Sequence, residues 1–562
     1  MVNSHEAGLA VKSEVASVSL RSCAVVAPGE GEALQIVLEA AVSGWLTGTV
    51  EELAVARTLE ELVKVLLRRV LNLGVMVLGA ALQRRDMKWR DGRAHVPCPK
   101  CRSGMTKKKN RASIKRKTLL GEVSHERTLW KCPKCGHTLV PLDQELHVGV
   151  KANRHDRGFV SLLLHMVTAL QFAKGCELFE RSTGHAASTQ LAQGLAEEVG
   201  GELFNQEMAE ANAAWERQFK EPDLFLPGGE KLVGLPQPGT VYIMEDNSKV
   251  GIHEGPRGRG APAGKPNSFF DRLGKHQKAK KVRKDKTGAG AWHDDDAFDD
   301  DKEKEEHEES RYRDVRALII FGAADLIEGK GGRKYIEKKV IRAHIGTADE
   351  WKKLVHLALF QTGALWAQRV VTITDGGSGI WPLMNELLPR TEGRTVVQIL
   401  DWCHAVGHLW KVGTAYKGNK TPAQRRAARQ WLKPLLDELH EGHPSVVLQR
   451  LRKCPTGKAV ASDFADTVRK CIKYFEDHSS RMHYGRFRAA GLLIGSGPIE
   501  SVHAWVIQPR LRLPGMRWSV AGANRMLRLR CSWASGTWDT DITRALDALL
   551  KKPRKRKEDA TV

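Results

Sequence analysis

Hydrophobic periodicity divides the first part of the chain into two helical stretches and a polar stretch between them. Leucine, valine and alanine recur over residues 53–82 with few turn residues, which predicts helices over residues 32–90. Residues 95–148 instead contain prolines, cysteines and lysines and predict a separate module. Helical periodicity returns over residues 157–217, where breaks at glycine predict three short helices.

The middle of the chain changes to short runs that are typical of strands. The predicted strands cover residues 240–244, 315–321, 339–344, 369–374 and 396–400, and a helix covers residues 348–360. Three strands, a helix and further strands in this order are typical of a mixed α/β sheet. Residues 421–475 have the pattern of amphipathic helices, which we expect to interrupt the sheet region.

Two segments are dominated by charge. Residues 258–310 contain a basic block followed by an acidic block, and such segregated charge predicts a disordered insertion. A second basic run covers residues 551–557 and predicts a flexible tail.

Composition narrows the class of protein. A chain of 562 residues exceeds one hydrophobic core and predicts several domains. Its formal net charge of +23 indicates a polyanionic partner, and we expect nucleic acid. We find no signal pattern at the N-terminus and no apolar run long enough to span a bilayer, so we expect a cytoplasmic protein with no membrane partner.

Four of the ten cysteines form two Cys-Pro-Lys-Cys motifs. Cys98, Cys101, Cys132 and Cys135 can converge on one Zn²⁺, and four protein ligands make the predicted zinc structural. Two alternatives stay open: His137 could replace a cysteine, or the pairs could be unrelated buried cysteines. The segment between the motifs carries a basic cluster that could contact phosphates: Lys107, Lys108, Lys109, Arg111, Lys115, Arg116 and Lys117.

A helix-turn-helix is a second candidate for DNA binding. Residues 174–181 predict one helix, Thr183 and Gly184 a turn, and Ser188 can cap the next helix. Helices joined by a glycine turn also occur in domains that bind nothing, so plain packing is the alternative.

Three carboxylates are candidates for catalysis. Asp246 and Asp375 each follow a predicted strand, and Glu500 follows Gly-Pro early on a predicted helix. Hard oxygen ligands of this kind suit Mg²⁺ or Mn²⁺ in a two-metal site. A strand-end Asp can also simply form a turn, and Glu245 is the alternative to Asp246, although strand alternation directs it to the other face.

Several motifs resemble those of bacterial insertion-sequence transposases of the ISKra type, over roughly residues 151–533. The motifs are Tyr484-Gly-Arg-Phe-Arg488, Gly495-Ser-Gly-Pro-Ile-Glu500, Arg510-Leu-Arg-Leu-Pro-Gly515-Met-Arg-Trp518 and Met526-Leu-Arg-Leu-Arg530. Asp401-Trp-Cys-His404 is similar to a signature that related transposases carry between the second Asp and the Glu. The resemblance implies an RNase H-like core with an Asp-Asp-Glu (DDE) site of Asp246, Asp375 and Glu500, split by a helical insertion.

Residues around these motifs are candidates for supporting roles. Asp401 could neighbour a metal and His404 the scissile phosphate, or they could be a capping Asp and a core His. Arginines beyond Glu500 are expected to contact the DNA backbone: Arg510, Arg512, Arg517, Arg525, Arg528 and Arg530. Trp518 could stack on an unpaired base, although a tryptophan among apolar residues is more often core.

Together these patterns predict a multidomain α/β protein. The segments are a helical N-terminal region (1–94), a zinc-ribbon-like module (95–148), a helical and possibly helix-turn-helix domain (151–222), an RNase H-like core in two parts (238–410 and 491–545), a helical insertion (411–490) and a basic tail (546–562). The resemblance to transposases implies Mg²⁺-dependent cleavage and strand transfer of transposon ends, and joining two ends predicts a homodimer or larger assembly on double-stranded DNA. The alternatives are a catalytically silent DNA-binding regulator and a metal-dependent nuclease.

Overall fold

The computed structural model describes most of the chain. The described residues are 30–91, 96–109, 112–149, 151–220, 239–253, 312–330, 332–377, 379–388, 393–454, 462–513 and 516–551. The charged insertion predicted at 258–310 and most of the basic tail lie outside these residues. The chain forms two compact units: Met1–Leu162 with Phe179–Ala186 and Leu550–Val562, and Leu163–Leu178 with Ala187–Leu549.

The first unit begins with a helical hairpin, which confirms the helices predicted there. Helix α1 covers Glu30–Val55 and α2 covers Leu59–Asp91. Thr58 and Glu61 start α2 with a reciprocal cap, in which the Glu61 N–H donates to the Thr58 hydroxyl and the Thr58 N–H to the Glu61 carboxylate. The break between the two helices, which the sequence analysis did not predict, is thus a capped turn.

Helix α2 is also long and apolar enough to cross a membrane, so the expectation that no apolar segment has that length is wrong. Length and composition are the only grounds for that possibility, and interface or core helices of soluble proteins share both. The predicted absence of a membrane partner therefore stays a prediction.

The remainder of the first unit consists of short strands. They are β1 (Thr106–Lys107), β2 (Ala112–Thr118), β3 (Gly121–Arg127), β4 (Trp130–Lys131) and β5 (Thr138–Leu139), followed by helix α3 (Pro141–Glu145). Strands β2 and β3 form an antiparallel hairpin, and β1, β4 and β5 form a small sheet. Helix α2 packs on β3, where the buried Asp86 accepts hydrogen bonds from the Thr128 N–H (2.9 Å) and hydroxyl (2.7 Å).

The next helices are α4 (Arg157–Ala169), α5 (Phe172–Thr183) and α6 (Thr189–Lys220). The third predicted helix is therefore long, not short. It packs on a later helix so closely that a Cβ on Gly200 would lie 2.7 Å from the Arg525 carbonyl oxygen. Periodicity did not indicate this length because glycine, alanine and glutamate interrupt the apolar pattern of α6.

The second unit is built on a mixed five-stranded sheet, as the sequence predicts. Its strands are β6 (Thr240–Gly251), β7 (Tyr312–Gly322), β10 (Val340–His344), β11 (Arg369–Thr374) and β12 (Thr395–Leu400), and β8 (Leu326–Glu328) and β9 (Lys334–Ile336) form a separate ribbon. The sheet order is β10-β7-β6-β11-β12. Strands β6, β7 and β10 pair antiparallel, whereas β11 runs parallel to both β6 and β12.

Helices surround this sheet. They are α7 (Ala348–Thr362), α8 (Ile380–Leu387), α9 (Trp402–Lys417), α10 (Pro422–His440), α11 (Pro444–Arg452), α12 (Ser462–His478), α13 (Tyr484–Ala489), α14 (Gly497–Val502), α15 (Gln508–Leu511), α16 (Val520–Ser535) and α17 (Trp538–Lys551). Helix α7 covers one face of the sheet with Trp351, Leu354 and Val355. Helices α9 to α12 pack mainly on one another and separate β12 from α14, which lies beside β6 and β7. The sheet is therefore followed by a helical segment before the chain returns to it.

Candidate functional site

Two short turns of the same backbone conformation present four cysteines to one point. In the first turn, the N–H of Cys98 donates to the carbonyl five residues later (2.8 Å), and the N–H of Arg102 returns to the Cys98 carbonyl (2.8 Å). The second turn repeats both bonds from Cys132 and Gly136. Arg102 and Gly136 occupy equivalent positions, both in the left-handed region with φ of 60° and 70°. The repeated sequence motif is thus a repeated structure.

The four thiols are spaced for a tetrahedral metal ion. The Sγ–Sγ distances are 3.5 Å for Cys98–Cys135, 3.5 Å for Cys101–Cys132 and 3.6 Å for Cys101–Cys135, and all four atoms lie within 4.8 Å of one another. A zinc–sulfur bond of about 2.3 Å implies edges of roughly 3.8 Å, so the donor set fits Zn²⁺. Hydrogen bonds from the Ser103 N–H and hydroxyl lower the pKa of Cys101 to about 6 and favour the thiolate that binds metal. This cluster of four cysteines is zinc-ribbon-like, and His137 is outside it.

The basic cluster of this unit divides into exposed and buried members. Lys107, Lys108 and Lys109 are exposed. Arg116 is buried, where its guanidinium lies 2.6 Å from Asp143. The expectation that Arg116 is presented to phosphate is therefore wrong, because its charge is neutralised inside the unit.

The predicted helix-turn-helix has the expected local structure. Gly184 has the left-handed φ of +72° that a tight turn needs, and the Ser188 hydroxyl caps α6 by accepting from the Leu191 N–H (3.1 Å). Most apolar residues of α6 are buried against α7 and α16, which favours the alternative that this helix serves in packing. DNA binding by this segment stays a prediction.

Two predicted carboxylates follow the stretch in which β6 and β11 are paired. Ile373 of β11 pairs with Met244 of β6 in parallel register. Asp246 of β6 and Asp375, the residue after the end of β11, each lie two residues beyond this pair. If the register continued, they would be level and on the same side. Both side chains are partly exposed. Strand β6 continues past Asp246 to Gly251, so Asp246 lies within a strand and does not end one as predicted.

Glu245 lies on the opposite face of β6. It is 4% exposed, and its carboxylate accepts a hydrogen bond of 2.7 Å from the Trp351 indole N–H. The pKa of Glu245 is raised to about 7, mainly by burial. The Trp351 hydrogen bond and the charge of Arg316 oppose this rise, and the charges of Asp375 and Asp246 add to it. Glu245 therefore belongs to the packing of α7, and Asp246 is the residue that faces the candidate site.

The loop after Asp375 is built around two glycines. Gly377 donates its N–H to the Asp375 carboxylate (2.8 Å). Gly376 has a φ of +90°, and a Cβ there would lie 2.8 Å from the His478 imidazole. The Tyr474 hydroxyl donates to the Asp375 carbonyl (2.8 Å). Helix α12 thus helps to hold the backbone of Asp375 in place. No local sequence pattern indicated Tyr474.

Asp401 joins three parts of the sheet edge. Its own N–H donates to the Thr374 carbonyl (2.8 Å), and one carboxylate oxygen accepts from the Ser496 N–H (2.6 Å). The other oxygen accepts from the N–H (2.9 Å) and the Nδ1 (2.7 Å) of His404. Asp401 is fully buried, and protein donors bind both of its carboxylate oxygens. It fixes the start of the segment that carries Glu500.

Glu500 lies next to Asp401. Among the described residues, a second set of potential ligand atoms within 4.8 Å of one another comprises Asp401, Cys403 and Glu500. Asp246, Asp375 and Glu500 do not form such a set. Carboxylates that bind two different ions about 3.5–4 Å apart need not approach one another that closely. The shared metal site of the three therefore stays a prediction.

The charges of Asp246 and Asp375 act on His404 together with that of its hydrogen-bond partner Asp401. Its hydrogen bond with Asp401 raises the pKa of His404, burial opposes this, and the charges of Asp401, Asp375 and Asp246 raise the pKa further. Burial alone would raise the pKa of Asp401, but the hydrogen bonds from His404 outweigh it and hold that pKa low. The pair therefore favours a protonated imidazole beside the aspartates.

His503 is a neighbour of Asp246 that the sequence did not indicate. Its Nε2 lies 3.2 Å from the Asp246 carboxylate, and the ring is largely buried. Nothing in the local sequence distinguishes this histidine, because its contact is made across the fold from the helix to β6.

The helix after Glu500 contains a π-helical segment, His503–Ile507. Pro509 has no N–H to offer the Trp505 carbonyl four residues earlier, so an ordinary helix cannot satisfy that oxygen. The buried Arg530 guanidinium donates to the carbonyls of Trp505 and Val506 instead. The helix therefore bulges directly beyond Glu500 and leaves Trp505 68% exposed.

Burial removes three arginines from the predicted DNA-contacting set. Arg510 is fully buried and donates to the Leu170 carbonyl. Arg528 is 6% exposed and lies 3.2 Å from Glu207 and 3.1 Å from Asp541. With Arg530, these side chains hold helices together, and the expectation that they contact DNA is wrong. Arg512 and Arg517 are exposed and Arg525 is partly exposed.

Trp518 has the structural role that was the alternative. Its indole N–H donates to the Arg510 carbonyl (3.0 Å), and its backbone bridges to Ile252 just beyond β6. The exposed tryptophan near Glu500 is Trp505, which the sequence reading did not single out.

No family model matches the chain, and no curated protein matches it. Among solved structures, the chain is similar to the Drosophila P element transposase strand transfer complex, with 11% identity and a TM-score of 0.20 over 68% of this chain and 80% of that chain. A TM-score this low does not by itself establish a shared fold.

Proposed function

We propose that this chain is a DDE transposase that cleaves DNA at transposon ends and joins them to target DNA. The observation that carries the proposal is the parallel register of β6 and β11, whose last pair, Met244 and Ile373, lies two residues before Asp246 and Asp375. Glu500 is connected to the same edge through the hydrogen bonds of Asp401 to Thr374 and Ser496. The order and directions of the strands, with β6 central, support an RNase H-like core.

The exposed or partly exposed carboxylates Asp246, Asp375 and Glu500 are hard oxygen donors, and they would hold Mg²⁺ or Mn²⁺. The bound ions would polarise the attacking oxygen and neutralise charge on the phosphate. In cleavage, a water oxygen bonds to phosphorus and gives up a proton, the bond from phosphorus to the 3′ oxygen of the transposon end breaks, and that oxygen takes a proton. In joining, the freed 3′ hydroxyl bonds to a target phosphorus and a target 3′ oxygen leaves.

Exposed residues beyond Glu500 are suited to hold the DNA. The exposed positions of this helix recur as one stripe: Glu500, Ser501, Ala504, Trp505, Gln508 and Arg512. An exposed indole can stack on an unpaired base, and an exposed guanidinium can contact phosphate. The exposed Lys107, Lys108 and Lys109 of the cysteine-bearing unit are further candidates for phosphate contacts.

The test uses the full chain, labelled DNA that carries the natural flanks of its coding sequence, Mg²⁺ and a target plasmid. We expect a cleaved strand and a product joined to the plasmid. Binding without cleavage would indicate a regulator, and cleavage without joining would indicate a nuclease; either result would overturn the proposal.

Asp375→Asn is the decisive variant. It should reduce cleavage by at least roughly 1000-fold, because several kcal/mol of transition-state stabilisation depend on the metal, while DNA binding is retained. Asp349→Asn removes one exposed carboxylate at the start of α7 and is the matched control, which should keep full activity. Equal loss in both variants, or full activity of Asp375→Asn, would contradict the assigned site.

A further inference from the structure

Helix α2 carries an apolar seam that the first unit leaves exposed. Apolar residues follow one another along the helix at alternating intervals of four and three: Leu59, Val63, Leu66, Val70, Leu73 and Val77. This is the heptad spacing of positions a and d in a coiled coil. A seam of this kind forms a narrower stripe than a helix face that packs on a globular core, and it repeats about every 3.5 residues instead of about every 3.6.

The seam side chains are exposed over most of its length. The exposed fractions are 77% for Leu59, 55% for Val63, 47% for Leu66, 48% for Val70 and 45% for Val77. Leu62 and Leu67 beside the seam are also exposed. A continuous apolar stripe of this length on a folded surface indicates an interaction site.

The other side of α2 is already occupied. Gly79 approaches Val123 of β3, and Asp86 is hydrogen-bonded to Thr128. Helix α1 contacts α2 at Arg69, which donates to the Gly48 carbonyl (2.9 Å). These contacts fix the rotation of α2 about its axis, so the seam faces away from the residues that the structure describes in this unit.

We infer that α2 pairs with α2 of a second copy of this chain as a parallel two-stranded coiled coil. The residue types at the two seam positions favour this partner. The β-branched Val63, Val70 and Val77 occupy position a, and leucines alternate with them at position d. This combination favours a parallel pair of helices. The same helix in a second copy presents the same knobs and holes in matching register.

A lipid bilayer is the main competing occupant. Arg68 and Arg69 of α2 both form ion pairs with Glu52 of α1, beside the seam. A spanning helix would carry these charges toward the hydrocarbon region, where ionised groups are costly. Pairing between two copies buries the seam and leaves the ion pairs in water.

The first experiment measures the mass of the full chain in solution by light scattering at increasing protein concentration. The wild type should be a dimer without DNA. Leu66→Glu/Val70→Glu should raise the dimer dissociation constant by at least about tenfold, because like charges would be buried in the seam. Asn72→Glu places the same charge on an exposed position of α2 outside the seam and should remain dimeric.

A monomeric wild type, a dimer that survives the double substitution, or a dimer lost equally in the control would overturn the inference. Binding of the wild type to mixed phosphatidylcholine–phosphatidylglycerol vesicles, lost in the double variant while the wild type is monomeric in solution, would assign the seam to a membrane instead.

Cross-linking tests the direction of pairing and remains informative if the double variant fails to fold. In a parallel pair, Val63→Cys faces its own copy across position a and should form a covalent dimer on mild oxidation. Asn72→Cys, with the same background of native cysteines, should not exceed the wild type. Equal cross-linking in the two variants would exclude the parallel seam.

Discussion

The four-cysteine cluster and the sheet edge that carries Asp246 and Asp375, here called the carboxylate edge, bring their functional groups together in different ways. Each pair of cysteines lies within one short turn, and the turn repeats the same hydrogen bonds at Cys98 and Cys132. Asp246 and Asp375 are far apart in sequence, and the pairing of β6 with β11 is what brings their chain segments together. The first arrangement is local in sequence, whereas the second depends on the whole sheet.

This difference determines what each arrangement requires to stay intact. The cysteine-bearing module has a small core of Val96, Met105 and Trp130 beside the thiols, which is little apolar area to hold a fold. The carboxylate edge lies on a large core and is fixed by protein donors, as at Asp401. The module should therefore depend on metal for its fold, and the edge should depend on metal only for its chemistry.

The largest expected effect is loss of zinc from the module. About one Zn²⁺ per chain should copurify, and Cys132→Ser should unfold the module, because metal binding supplies on the order of 10 kcal/mol in such sites. Elemental analysis together with proteolysis of the cysteine-bearing segment measures both effects. Cys454→Ser, at a partly exposed cysteine outside both sets of potential metal ligands, is the control and should keep the zinc. A zinc-free protein with an intact module would show that the module does not need metal to fold, and the proposed difference from the carboxylate edge would be wrong.

The next largest effect concerns the buried arginines behind the carboxylate edge. Arg528→Ala should lower the free energy of unfolding by about 3 kcal/mol, because it removes the guanidinium that the buried Glu207 and Asp541 share. The loss is limited because Glu207 keeps Arg342 and Asp541 keeps Arg544. Urea unfolding of the second unit measures the change. The exposed Arg517 provides the control, and Arg517→Ala should change stability by less than about 0.5 kcal/mol.

A smaller effect separates positioning from metal binding at the edge. Asp401→Asn should cost about 2–3 kcal/mol of stability, because a neutral amide weakens the charged hydrogen bonds to His404 and Ser496. Asp375→Asn should leave stability nearly unchanged and abolish cleavage. Higher Mg²⁺ should partly restore Asp401→Asn if it acts through the placement of Glu500. Identical behaviour of the two variants would make Asp401 a metal ligand and not a positioning residue.

The sequence predicts local features of this molecule well. The strand over residues 369–374 and the start of α7 at Ala348 are confirmed, because β-branched runs and a Thr347–Glu350 capping box are local signals. The convergence of four cysteines is also confirmed, since two Cys-x-x-Cys turns constrain it directly.

Features that depend on tertiary contact were not predictable in the same way. Arg510 and Arg528 look like surface residues in sequence, yet their burial depends on which helices pack around them. His503 approaches Asp246 from another element, and no local pattern indicates it. The bulge at Trp505 had a readable cause in Pro509, but the guanidinium that stabilises it comes from a later helix.

The smallest expected effect concerns DNA binding by the exposed stripe beyond Glu500. Arg512 is exposed, and its guanidinium reaches the Ser248 hydroxyl of β6 at 3.4 Å, a contact too long to contribute much to stability. Arg512→Ala should therefore leave unfolding unchanged. It should weaken DNA binding by about 1 kcal/mol and reduce the slope of log affinity against log salt by about 1, as expected for one lost phosphate contact.

Trp505→Ala should weaken binding to single-stranded DNA by about 1–3 kcal/mol through lost stacking, with little change in that slope. Titration at several salt concentrations distinguishes these two losses. A changed slope for Trp505→Ala, or unchanged binding by both variants, would show that DNA does not pass over this stripe, even if Asp375 proves essential for cleavage.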